Sequence, residues 1–175
     1  MKRHTELASV SRSDMISYSM EIDTRGDRLV ELFKQVKILA KEYYELTGKP
    51  LGVTGEVGEF EAARLLGVQL CGPRQPGHDG LRLSENGQCQ LSIKSVRFPP
   101  SREASWRIGT IDLEAQWDAV LMVLLDLDFE PREIWEADRA ALTALLGSRE
   151  RTDPKVREFK KIGKCVWSKA AGRSN

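Results

Sequence analysis

Gly55-Glu56-Val57-Gly58-Glu59-Phe60-Glu61-Ala62-Ala63, then Gly77-His78-Asp79-Gly80, then Leu91-Ser92-Ile93-Lys94-Ser95 are the stretches on which the reading of this chain turns. The first has helical spacing, with Glu56, Glu59 and Ala63 on one side of the cylinder. Thr54 ahead of it is a good helix N-cap and Gly67 a good stop, which predicts a helix to about Leu66. The third stretch alternates, setting Leu91 and Ile93 on a buried face and Gln90, Ser92 and Lys94 on the other. Asp79 opens the preceding strand, and Asn86-Gly87 is a strong two-residue hairpin signal that makes the two strands antiparallel neighbours. If the turn pairs Glu85 with Gln88, Asp79 stands opposite Lys94, on the same face and about 5 Å away between Cβ atoms.

Outward from these stretches, Val68 to Cys71 reads as a short strand. Phe98-Pro99-Pro100-Ser101 breaks the lysine strand, and the segment to about Gln116 has no clear period. Ala119-Val120-Leu121-Met122-Val123-Leu124-Leu125 is a continuous apolar run, the pattern of a central strand covered on both faces. A turn over Asp126 to Pro131 leads to a strand over Glu133 to Ala137. Asp138 caps a short helix closing at Gly147, Asp153-Pro154 opens another that ends at Gly163, and Lys164 to Ser168 reads as an edge strand.

Upstream, Leu29, Leu32, Phe33, Val36, Leu39, Ala40 and Tyr43 recur at three- and four-residue steps, an amphipathic helix starting at about Asp27 behind Thr24 and stopping at Gly48 and Pro50. The expected organisation is a polar arm, or one irregular helix, over 1–25, an amphipathic helix over 26–50 packing on the core, an α/β core over 51–169 with a mixed central sheet flanked by helices, and a disordered tail over 170–175.

At 175 residues the chain suits one domain. A net charge of +1 gives no global drive toward polyanions, so any such site rests on local clustering. The three cysteines show no CxxC or CxxH spacing, which argues against a disulfide framework and structural zinc and fits a reducing cytoplasm. No apolar run approaches the length of a membrane span.

The order of glutamate on a helix, aspartate opening a strand and lysine on the next strand resembles the PD-(D/E)xK nuclease superfamily, the restriction-endonuclease-like fold. Gly55-x-x-x-Glu59-x-x-Ala62-Ala63 looks like its helix motif, Asp79 like its strand aspartate, and Ser92-Ile93-Lys94 like its (D/E)xK. The chain looks like small relatives with a Gly-x-Asp loop and a Gln-Ile-Lys strand. The resemblance implies metal-dependent DNA phosphodiester hydrolysis with one or two Mg²⁺ or Mn²⁺ ions. Glu59 and Asp79 would be metal ligands, the Ile93 carbonyl a further one, and Lys94 the catalytic lysine.

Ser92 departs from the pattern, because a hydroxyl brings no charge to a Mg²⁺ site where the family has an acid or glutamine. Glu56 or Gln90 would have to replace the missing ligand. The alternative that the same resemblance carries is a degenerate module that keeps the fold and binds nucleic acid or protein without cleaving it.

Carboxylates are the hard oxygen donors such ions take, and a lysine beside them positions the water and offsets developing charge. Arg74, Arg97, Arg102, Lys160 and Lys161 are the expected phosphate contacts. A homodimer or a larger complex fits the same reading. Each residue also has a plainer explanation. The glutamates can be helix N-terminal acids, Asp79 a turn residue, and Lys94 half of a salt bridge to Asp79 or Glu59. His78 reads as surface or packed, Asp118, Asp126 and Asp128 as strand-end and turn acids, and the tryptophans as packing.

Overall fold

This computed structural model describes residues 12–72, 77–84 and 87–170. Residues 1–11 of the expected arm, Arg74, the Glu85-Asn86 turn and residues 171–175 of the expected tail lie outside the described residues.

The molecule is α/β, with a six-stranded mixed sheet in sequential order flanked by helices and an N-terminal helix. Helix α1 runs from Arg12 to Thr47. It passes through Thr24 and Gly26 without a break, which corrects the expected start at Asp27. One interior glycine costs about 1 kcal/mol, too little to stop a 36-residue helix. Gly48 ends it in the left-handed conformation, its N–H bonded to the Tyr44 carbonyl at 2.8 Å.

Helix α2 spans Thr54–Leu66 and closes at Gly67, also left-handed at φ 66°. Its N-cap is Val53, with no side-chain cap, so Thr54 lies one residue inside the helix rather than capping it. The chain then forms β1 (Gln69–Leu70), β2 (Gly80–Ser84) and β3 (Gly87–Arg97), an antiparallel meander. A short 3₁₀ turn, Pro100–Ser105, and an extended stretch cross back to β4 (Ala119–Leu125), which pairs with β3 in parallel. Strands β5 (Pro131–Asp138) and β6 (Lys164–Ser168) complete the sheet antiparallel, with α3 (Arg139–Leu146) and α4 (Val156–Ile162) between them.

All seven residues of β4 are buried, as a central strand requires. Its alternation divides the core. Ala119, Leu121, Val123 and Leu125 face α2 and the Ala40 position of α1, while Val120, Met122 and Leu124 pack with Phe98, Ile111, Leu142 and Phe159. Asp138 caps α3 as expected, accepting from the Ala141 N–H at 2.8 Å. Helix α4 starts later than Asp153-Pro154 suggests. That dipeptide and its neighbour are committed to the crossover, where Pro154 and Thr152 carbonyls accept from Ile108 and Ile111. Among the described residues, no helix is long and apolar enough to cross a membrane.

Candidate active site

The hairpin register decides which residues meet. Ser84 pairs with Gly87 and Gly80 with Leu91, so Asp79, one residue before β2, falls opposite Ser92. The expectation of Asp79 directly opposite Lys94 is corrected by one residue on each strand, because Gly87 belongs to the strand rather than to the turn. The parity of the pleat is unchanged, so Asp79 still shares a face with Lys94, now diagonally.

Asp79 is tied in at three points. Its N–H donates to the Leu91 carbonyl at 2.8 Å and its carbonyl accepts from Cys71 at 3.0 Å. Its Oδ2 accepts from the Ile93 N–H at 2.6 Å and from the Ser92 hydroxyl at 3.2 Å. The carboxylate therefore caps β3 where β2 no longer reaches it, satisfying a backbone donor that the ladder leaves over. Ser92 is buried, and its hydroxyl serves Asp79.

Lys94 lies half-buried two residues on. With Gly77, His78, Asp79, Ser92, Thr110, Asp112, Ala115 and Trp117 it lines an open cavity of about 380 Å³. Among the described residues, the ion pairs engage other side chains, and Lys94, Asp79 and Glu59 belong to none of them. The plain salt-bridge account of Lys94 thus finds no partner there.

Glu59 comes from α2, on the other side of the sheet. Helix α2 lies so close to β3 that a Cβ on Gly58 would stand 1.7 Å from Ser95 Oγ. That contact carries the Glu59 turn onto the hairpin. Burial pushes the Glu59 carboxyl above the usual carboxylate range, Asp79 and Glu56 push it further, and Lys94 opposes them. Glu59 is within electrostatic reach of Asp79 and Lys94 but does not line their cavity. Glu56 is exposed on the first turn of α2. Gln90 is half-buried, its N–H bonded to Asp118 Oδ2 at 2.7 Å. Among the described residues, no three His, Cys, Asp or Glu side chains gather closely enough to hold an ion.

The expected phosphate contacts behave differently from one another. Arg97 donates to the Leu127 carbonyl through Nε at 2.9 Å and Nη2 at 2.5 Å, with its guanidinium 4.5 Å from the Phe129 ring. Lys160 is held between Glu133 and Glu103 and lies over the Trp135 ring. Both are committed within the molecule, whereas Lys161 is exposed. Arg102 falls in the 3₁₀ turn, its side chain outside the described residues.

Thr110 and Asp112 are cavity residues that sequence reasoning did not single out, while Trp117, expected as packing, is buried in the core and also lines the cavity. They come from the aperiodic crossover, and only the fold brings them to Lys94. Trp117 is fixed by its indole N–H on the Asp112 carbonyl at 2.7 Å and by Arg139, 4.1 Å from its ring. No protein-family model and no curated protein matches the chain.

Proposed function

We propose that the chain is a metal-dependent DNA phosphodiester hydrolase of the PD-(D/E)xK type, with the restriction-endonuclease-like variant of its α/β fold. The observation that carries this reading is Asp79 and Lys94 lining one open cavity, neither engaged in an ion pair among the described residues. The Glu59 carboxyl, raised chiefly by burial and then by Asp79 and Glu56, supports it, because the part that comes from neighbouring acids is what a cation would relieve.

Asp79 and Glu59, with the Ile93 carbonyl, would hold Mg²⁺ or Mn²⁺. Such an ion polarises a phosphoryl oxygen and lowers the pKa of a bound water. Asp79 needs a fixed direction for that task, and the Ile93 N–H and Ser92 hydroxyl supply it. Lys94 places a positive charge where the pentavalent phosphate gains negative charge, and orients the attacking water.

Differential scanning fluorimetry with Mn²⁺ tests the reading. A rise in Tm with wild type that disappears in Asp79→Asn is expected, and a metal response identical in the two chains contradicts it. A second reading, a module that binds nucleic acid without cleaving it, is favoured by the lack of a third ligating side chain among the described residues. Salt-sensitive DNA binding with no response to metal is its signature.

A further inference from the structure

A second open cavity lies at the carboxyl ends of the parallel strands β3 and β4. Arg97 closes β3 there, and Leu127 stands in the turn that follows β4. Open α/β sheets hold ligands at that end of their strands. The volume, about 410 Å³, is that of a small-molecule site.

Its chemistry differs from that of the Lys94 cavity. Among the described residues its lining contains no acid, and Arg97 is its one charged group. The guanidinium is held still by the Leu127 carbonyl, which accepts from Nε and Nη2, and by the Phe129 and Tyr44 rings at 4.5 and 5.3 Å. Nη1 makes no hydrogen bond among the described residues. Two aromatic side chains stand open beside it, Tyr44 44% and Trp106 36% exposed, with Phe98 stacked on the indole at 5.9 Å. Ser95 also lines the cavity, and its buried hydroxyl has no hydrogen-bond partner among the described residues.

A purely apolar ligand would leave the guanidinium donor and the hydroxyl unpaired, and a small inorganic anion would make no use of the rings. A nucleobase uses both, because it has a face that stacks on an aromatic ring and an edge of hydrogen-bonding groups.

The cavity is also in line with Lys94. Strand β2 pairs with β3 only as far as Leu91, so beyond it the outer edge of β3 has no neighbouring strand among the described residues. Asp79 takes the Ile93 N–H on that edge, and alternation turns the Ser95 and Arg97 N–H groups the same way. Lys94 and Arg97 are about 10 Å apart along the strand at ~3.3 Å per residue, close enough for one nucleic-acid strand to reach both.

We propose that this cavity takes one unstacked nucleotide of a single DNA strand, and that the same strand runs along the β3 edge to Lys94. The base stacks on Trp106 and Tyr44, an acceptor on its edge meets Arg97 Nη1, and the Ser95 and Arg97 N–H groups face the sugar-phosphate backbone. This rests on the hydrolase reading for the strand's fate at Lys94, and it narrows the substrate to DNA with unpaired nucleotides.

Fluorescence anisotropy with a short labelled oligothymidylate in EDTA tests the proposal, because binding without metal is read apart from cleavage. The single strand should bind more tightly than the same strand in a duplex. Trp106→Ala should weaken it at least 10-fold, about the worth of one stacked base, while Trp106→Phe keeps most of the affinity. A strand of the same length built only of abasic sugar-phosphate should bind wild type at least 10-fold more weakly, and should bind Trp106→Ala as well as oligothymidylate does. Free thymidine monophosphate should compete only at far higher concentration than the strand. Duplex bound as tightly as single strand, wild type that does not distinguish the abasic strand, or a mononucleotide bound as tightly as the strand would overturn the proposal. Metal-dependent nicking that persists beside any of these keeps the hydrolase reading, and base-dependent binding without nicking overturns that reading alone.

Discussion

Ser92 donates its hydroxyl to Oδ2 of Asp79 at 3.2 Å, beside the Ile93 N–H that reaches the same oxygen at 2.6 Å. The residue that departs from the nuclease pattern therefore has a place in the site. It steadies the Asp79 carboxylate at the position where that pattern carries an acid or a glutamine. Ser92→Ala is expected to cost about 1 kcal/mol, the ordinary worth of one hydrogen bond, since Asp79 keeps its backbone donor. Thermal melts read that loss as a fall of about 2–4 °C in a chain of this size.

Ser92→Asp makes the opposite test. It sets a second carboxylate against Asp79, and like charges that close destabilise the folded state. The expected outcome is a lower Tm without metal and a larger Mn²⁺-induced rise than wild type shows. Calorimetry with and without the ion measures both, and a variant whose deficit is untouched by Mn²⁺ counts against a cation beside Asp79.

Glu59 gives a pH signature. Its carboxyl titrates above the usual range, chiefly through burial and then through Asp79 and Glu56. The folded state therefore holds this proton more tightly than the unfolded chain. Its contribution to stability is complete below the ordinary carboxylate pKa and is lost as pH rises through the raised value. Glu59→Gln should accordingly raise Tm at neutral pH and lose that advantage in acid. Melting curves across the acid-to-neutral range check this, and a benefit independent of pH would show that the charge is not its source.

Gly58 tests the packing that carries α2 onto the hairpin. A Cβ there meets Ser95 Oγ at 1.7 Å and Ser95 Cβ at 2.4 Å. Gly58→Ala should cost about 1–3 kcal/mol, the usual range for overpacking. Adding Ser95→Gly removes both colliding atoms and should recover most of the loss. Denaturant unfolding of the two variants measures it, and a neutral Gly58→Ala would mean that the helix can lift off β3 freely.

Much of this architecture was legible in the residues because one physical cause dominated each element. The run from Ala119 to Leu125 has no polar face, so only a strand covered on both sides accommodates it. Lys164 to Ser168 and the Asp138 cap were readable for similarly local reasons. The hairpin was less so, because whether Gly87 belongs to the turn or to the strand is a difference of one residue that alternation cannot detect.

Part of the cavity wall was hidden. Thr110 and Asp112 sit in a crossover with no period, which is held by bonds from Ile108 and Ile111 to the Pro154 and Thr152 carbonyls and by Arg139 on the Leu113 carbonyl, all distant in sequence. Arg97 and Lys160 looked like phosphate contacts for the same reason, since Leu127, Glu103 and Glu133 are partners that only the folded chain supplies.

The most direct test of the central claim is cleavage of supercoiled plasmid and single-stranded DNA with Mg²⁺ or Mn²⁺, comparing wild type with Lys94→Ala. The account predicts metal-dependent nicking by wild type and a loss of about 100- to 10,000-fold in the variant, the usual contribution of a positioned catalytic group. Nicking at equal rates by two folded proteins, or none by wild type with either ion and either substrate, would contradict it.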